Sequence, residues 1–148
     1  MTKLKWVLAA TTLVNGRWQP SYDDDIRFTP SMWREYSSGR TDHQWRSYSL
    51  DGDDDVARML LSPTYSSHTH RRVTRAVLLD TIEVRADLQR SGAHIGRMVI
   101  EELVDDHRNW EIYAGPTESS APFWDEKLGW PRCDCNDCHG RDFVVWRQ

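Results

Sequence analysis

Short apolar, β-branched runs recur along the chain, and where they lapse the apolar residues fall at helical spacing instead. The two patterns meet in Val77 to Val104, VLLDTIEVRADLQRSGAHIGRMVIEELV. There Val77, Leu78, Leu79, Ile82 and Val84 read as a strand, while Ile95, Val99, Ile100, Leu103 and Val104 recur on one helix face. Upstream, Leu4 to Val14 is expected to be the first strand, closed by the turn pair Asn15-Gly16, and Arg17 to Phe28 reads as loop. Thr29-Pro30 predicts a helix start, with Met32, Trp33 and Tyr36 on one face and Gly39 at the end. Trp45 to Leu50 and Val56 to Leu61 read as an antiparallel hairpin around the acidic turn Asp51 to Asp55, and Ser62 to Thr74 as a polar connection. After the central helix come a short strand, Trp110 to Ala114, broken by Gly115-Pro116, and a short helix within Thr117 to Trp130. Trp130 to Cys135 and Asp142 to Trp146 are expected to form the last strand pair. The mixture predicts an α/β (α+β mixed) fold.

A chain of 148 residues can bury one core, so a single domain over 1–148 is expected. Eight Trp, five Tyr and three Phe supply large apolar units that a disordered chain lacks. The net charge of −4 argues against a broad basic face for nucleic acid. No apolar run approaches the ~18 residues of a membrane span, and Met1 to Val14 lacks the features of a secretory signal, so no membrane association and a cytoplasmic location are expected. Three cysteines within six positions point to a reducing compartment rather than a dispersed disulfide framework.

Between the central strand and helix lies Gln89-Arg90-Ser91-Gly92-Ala93-His94-Ile95-Gly96-Arg97. Its glycines let backbone approach a ligand, the amides opening the helix carry partial positive charge, and Arg90 and Arg97 can add charge-assisted contacts to a pyrophosphate. From the glycines alone, an ordinary strand-to-helix turn is an equal reading. Val84-Arg85-Ala86-Asp87-Leu88-Gln89-Arg90-Ser91-Gly92 followed by Ile95-Gly96-Arg97-Met98-Val99 resembles the coenzyme A loop of the GNAT superfamily of acetyl-CoA-dependent N-acyltransferases. In that family a strand ending in Val-x-Pro leads through Gln/Arg-x-x-Gly-x-Gly/Ala into a helix. Here Ala86 stands where proline is usual, and Ala93 and His94 look inserted. Thr117 to Trp130 resembles a second family segment, with Glu118 at the usual Asn and Asp125, or Trp124 in a register shifted by one, at the usual Tyr.

The resemblance implies a single GNAT-like domain, with a central, mostly antiparallel twisted sheet, a splayed central strand pair and flanking helices. It implies acetyl-CoA as acyl donor, with Gln89, Arg90, Ser91, Gly92, Ala93, His94, Ile95, Gly96 and Arg97 binding the cofactor and the pyrophosphate on the amides from Arg90 to Arg97. The backbone of Ile82, Glu83 and Val84 would line the acetyl arm, and Glu118 and Trp124 would lie beside the pantetheine. N-acetyl transfer needs a proton acceptor for the amine. Asp80 and Glu83, on opposite faces of the strand, are the two candidates, and Asp125 is the candidate acid, with unaided departure of the thiolate preferred. The acceptor is expected to be a primary amine. The runs Asp23 to Asp25 and Asp53 to Asp55 favour a cationic small molecule, such as a polyamine or aminoglycoside, with a charged tRNA as an outside alternative. A homodimer is compatible with the sequence. The rival class is a non-catalytic acyl-CoA-binding or protein-interaction module.

The remaining constellation is Cys133-Asp134-Cys135-Asn136-Asp137-Cys138-His139. Reduced free thiols are the preferred reading. A zinc site on Cys133, Cys135, Cys138 and His139 is the second, set back by the crowding of four ligands into seven residues, and a Cys135 to Cys138 disulfide is the third. His68 and His70, in the polar connection, are expected to be exposed.

Overall fold

A computed structural model describes residues 3–33, 42–68, 75–140 and 142–147. The described elements are β1 (Leu4–Leu8), β2 (Thr11–Val14), β3 (Arg17–Pro20), α1 (Pro30–Trp33), β4 (Gln44–Leu50), β5 (Asp53–Ser66), β6 (Arg75–Val84), α2 (Ile95–Asp106), β7 (Glu111–Ala114) and β8 (Val144–Trp146). Six of the strands form one sheet in the order β1-β4-β5-β6-β7-β8, in which β6 and β7 run parallel. The fold is mixed α/β with a mostly antiparallel sheet, as expected. Residue contacts divide the chain into two units, Met1–Leu61 with Thr81–Glu101, and Ser62–Asp80 with Glu102–Gln148.

In the first unit the expected opening strand is two strands. β1 pairs with β4, whereas β2 turns at Asn15-Gly16 and pairs with β3. Arg17–Pro20 is therefore strand rather than loop. Asn15 and Gly16 both take positive φ, 51° and 76°, the conformation of a tight hairpin turn with the twist of its strands. Asp51 and Gly52, at 51° and 87°, do the same between β4 and β5. Phe28, Trp33, Trp45 and Leu60 make the core here, with Trp18, Tyr22 and Met32 packed against it. The expected positions Tyr36 and Gly39 of the first helix lie outside the described residues.

The second unit holds β7 between β8 and the start of β6. Its core is Ala76, Tyr113, Cys133, Cys138 and Val145, with Tyr65, Leu78, Cys135 and Phe143 against it. The expected strand Trp130 to Cys135 is only an isolated bridge between Arg132 and Val144. Pro131 has no N–H to extend a ladder, and Cys133 O accepts from Gly140 N–H at 3.0 Å, which turns the chain back on itself. Phe123–Lys127 forms a single π-helical turn, closed by Leu128 N–H donating to Phe123 O at 3.0 Å. On α2 the buried positions Ile95, Val99, Ile100 and Leu103 are those of the expected face. No helix among the described residues is long and apolar enough to cross a membrane.

Candidate functional site

β6 outruns its parallel neighbour. The pairing of β6 with β7 ends at Leu79 and Ala114, yet β6 continues as strand to Val84. Just beyond it, Arg85 N–H donates to Val56 O at 2.9 Å, so by strand alternation the backbone groups of Ile82 and Val84 face the edge away from β5. Of the three residues expected along an acetyl arm, Ile82 and Val84 thus offer their amides to that edge, and Glu83 does not. Val84 O accepts from the Gln89 side-chain amide at 2.7 Å, which pins the start of the loop to the strand it leaves.

The loop itself enters α2 through left-handed residues. Arg90, Gly92 and His94 have φ of 60°, 82° and 55°. The first intrahelical bond is Met98 N–H to His94 O at 3.1 Å, so the amides of Ile95, Gly96 and Arg97 precede it and have no acceptor within the helix. Ala93 N–H donates to Ser91 Oγ at 3.3 Å. Residues 89–94 are exposed, and Arg97 is ion-paired with Glu101 one turn on, at 3.1 Å. Ala86 has a local reason to replace proline: its N–H donates to Arg27 O at 2.9 Å, a bond proline cannot make.

The base of this segment is held by Arg85, 4% exposed, whose guanidinium donates to Asp53, Asp87 and the Asp54 carbonyl. These bonds hold the Asp53 and Asp87 carboxyls below the usual range. Arg58 pairs with Asp55 at 2.5 Å and lies over Tyr22 and Phe28, and Arg27 forks onto Asp25, whose carboxyl falls to about 2. Asp25, Asp53 and Asp55 are therefore neutralised from within, and the acidic runs present less net charge than their sequence suggests. A cleft of about 180 Å³ is lined by Tyr22, Asp23, Asp24, Asp25, Phe28 and Trp33 among others.

The carboxylates proposed for catalysis sit in different surroundings. Glu83 accepts from Thr29 N–H at 2.9 Å, from Thr29 Oγ1 at 2.6 Å and from Trp33 Nε1 at 2.6 Å, so both its oxygens are committed to the start of α1. Asp80 is exposed, and its Oδ2 accepts from the Ser62 hydroxyl at 2.6 Å. Asp125 is exposed and accepts from Arg132 at 2.7 Å. Glu118 is exposed, whereas Trp124 is 4% exposed, with ring centroids 5.1 Å from Trp130 and 5.2 Å from Phe123. Asp80, Glu118, Trp124 and Asp125 belong to the second unit, and the loop residues 89–97 to the first.

A further cluster in the second unit brings together a set of side chains different from the Cys133, Cys135, Cys138 and His139 considered from the sequence. Among the described residues, the one group whose ligand atoms converge is His68, Cys133, Cys135 and Cys138, all within 4.8 Å of one another. His139 is not a member. It is exposed at φ 52°, and its N–H donates to Cys135 O at 3.0 Å, a turn in which its side chain and that of Cys138 diverge. His68, expected to be exposed, is half-buried, 4.2 Å from the Tyr113 ring, while His70 lies outside the described residues. All three cysteines are free thiols. Cys138 N–H donates to Cys135 Sγ at 3.4 Å and holds that thiol below its usual range, whereas burial pushes the Cys138 thiol up to about 12.

No family model and no curated protein matches the chain. Among solved structures it is similar to a protein from Pyrococcus horikoshii, at 16% identity and TM-score 0.46, over 70% of this chain and 64% of that one. It is also similar to an acetyltransferase assigned to the GNAT family from Desulfovibrio desulfuricans, at 21% identity and TM-score 0.47, over 72% of this chain and 67% of that one. Nourseothricin acetyltransferase is a third, at 14% identity and TM-score 0.45, over 97% of this chain and 84% of that one. At these identities and TM-scores the likeness carries no argument, and the chemistry of the site rests on this chain's own residues. The chain spans 64% of the length of the Pyrococcus protein.

Proposed function

We propose that the protein is an N-acetyltransferase that uses acetyl-CoA and acts on a primary amine. One observation carries this reading: a strand that outruns its parallel neighbour, followed by a loop of left-handed residues that opens a twelve-residue helix. The first gives an extended backbone edge at Ile82 and Val84, and the second gives a set of outward amides at Ile95, Gly96 and Arg97. An extended amide-bearing arm with a pyrophosphate at its far end asks for both, the edge for the arm and the helix start for the anion. Acetyl-CoA fits that pair, and when bound it supplies an activated acyl thioester. Arg90 lies in the same exposed loop, with reach to a phosphate.

The chain's own residues divide the remaining work. In this reading the amide of Ile82 or Val84 donates to the developing oxyanion, a task suited to preorganised backbone N–H groups. Asp80 is the carboxylate suited to take the ammonium proton, because Glu83 is already saturated by α1. Asp125 is paired with Arg132 as an acceptor, which favours departure of the thiolate without a side-chain acid. Asp23 and Asp24 in the cleft beside Trp33 favour a cationic amine as acceptor.

The test is an acetyl-CoA titration by calorimetry, followed by thiol-release assays across an amine panel that includes polyamines, aminoglycosides and lysine peptides. Saturable binding with turnover of a cationic amine supports the reading. Binding without turnover of any amine would assign the fold to a non-catalytic acyl-CoA-binding role, and no binding would remove the cofactor assignment altogether.

A further inference from the structure

We infer that His68, Cys133, Cys135 and Cys138 form a structural zinc site that ties the end of the β5 segment to the C-terminal loop. His68 Nδ1 lies 3.3 Å from Cys133 Sγ, 3.7 Å from Cys135 Sγ and 3.5 Å from Cys138 Sγ. A tetrahedral zinc with Zn–S of about 2.3 Å and Zn–N of about 2.0–2.1 Å separates its nitrogen from each sulfur by about 3.6 Å. One nitrogen almost equidistant from three sulfurs is thus already the corner of such a tetrahedron. Cysteines buried merely as small apolar groups have no need to surround an imidazole nitrogen.

The surroundings of the ligands fit the same assignment. Cys135 and Cys138 bracket a two-residue turn in which the second amide points at the first sulfur, an arrangement that steadies a thiolate. His68 Nε2 lies 2.9 Å from the Tyr65 hydroxyl, so with Nδ1 on the metal the remaining N–H donates to that oxygen and fixes the tautomer. The imidazole is further held by the Tyr113 ring at 4.2 Å and the edge of Phe143 at 5.1 Å. Its backbone N–H donates to Tyr113 Oη at 3.0 Å, and that hydroxyl donates in turn to Glu111. The ring is therefore oriented from three sides before any metal arrives.

Three thiolates and one imidazole close the coordination sphere and leave no position for water or substrate, so the role is structural rather than catalytic. The clip joins residues 65 apart in sequence, His68 and Cys133, so the metal holds together a long loop. The site stands independently of the proposed acetyl transfer.

The test uses the full chain without a histidine tag, expressed with added zinc and purified without chelator. About one zinc per chain by mass spectrometry of the metal content, and a cobalt-substituted form with tetrahedral d–d bands and a thiolate charge-transfer band, are expected. His68→Ala should lose the metal, His139→Ala should keep it, and Tyr65→Phe should weaken retention against a competing chelator by about tenfold. If His68→Ala does not fold, the cobalt spectrum of the unaltered protein decides. Substoichiometric zinc, an octahedral cobalt spectrum, a disulfide detected in the intact mass, or metal kept by a folded His68→Ala would each overturn the assignment.

Discussion

Gly92→Val separates a phosphate-binding loop from a plain turn. Gly92 sits at φ 82°, and a Cβ built there meets no heavy atom within 4 Å, so the substitution is limited by backbone conformation and not by space. An L-residue in the left-handed region costs roughly 1–2 kcal/mol, and a β-branched one more. The loop of the variant relieves that cost by swinging Gly92 to negative φ, which re-aims the neighbouring amides. To bind an anion it must return, and the same 1–2 kcal/mol is then lost from affinity. As 1.4 kcal/mol is a factor of ten, acetyl-CoA should bind about tenfold or more weakly. The assay is calorimetric titration, with thermal denaturation to confirm folding. Gly52→Val is the matched control, because Gly52 has φ 87°, equally open surroundings, and a place in the β4–β5 turn. It should lower stability to a similar extent while leaving cofactor affinity alone. Unchanged affinity in folded Gly92→Val, or an equal loss in Gly52→Val, would refute the loop assignment.

Asp80→Asn should lower kcat by about 10²-fold or more with little change in acetyl-CoA affinity, whereas Glu83→Gln should mainly lower Tm, by the loss of about 1–3 kcal/mol of hydrogen bonding to Thr29 and Trp33; the reverse pattern in steady-state kinetics would return the base role to Glu83. Arg85→Met should destabilise by about 1–3 kcal/mol in urea denaturation, less than for a wholly buried pair because Asp53 and Asp87 are half exposed and rehydrate. Burial pushes the Glu111 carboxyl up, but donation from Ser67, Arg147 and Tyr113 outweighs it and leaves the group below its usual range. Its folded-state pKa is thus depressed, so its stabilisation is complete above the unfolded value of about 4.3 and is lost as pH falls through the folded value. Glu111→Gln should flatten that part of the acid limb, and an unchanged limb would show that Glu111 is not its source.

Most strands were legible because short β-branched and apolar runs are a local signal, and it succeeded in strands buried on both faces, such as the middle of β5 and β7. It failed at the N-terminus for two physical reasons. Ala9 and Ala10 carry no turn chemistry, so nothing in the sequence marks the point where β1 leaves the large sheet and β2 begins. Arg17–Pro20 carries no β-branched residue and no apolar run, so β3 owes its extended form to pairing through the Asn15-Gly16 turn rather than to any strand pattern of its own. A turn that strongly favours a hairpin implies two strands, even where only one of them looks like a strand.

The same distinction between local and distant determinants explains which parts of the candidate sites were readable. The loop from Gln89 to Arg97 is contiguous, so its glycines and the helix that follows could be read together. The cluster of His68 with Cys133, Cys135 and Cys138 is not contiguous, and sequence adjacency offered His139, which stands outside it. Cys133, Cys135 and Cys138 curl around one point, with Cys133 O accepting from Gly140 N–H and Cys138 N–H directed at Cys135 Sγ. A turn this tight can bring three sulfurs to one side, but the residue that ends it in a left-handed conformation, His139, must point elsewhere. The fourth corner therefore has to come from a distant segment. Tyr113 selects it, because its hydroxyl accepts the His68 N–H while its ring lies against the imidazole, and its own position is set by the pairing of β7 with β6 and β8. The histidine that completes the cluster is thus chosen by sheet register, which short-range spacing does not encode.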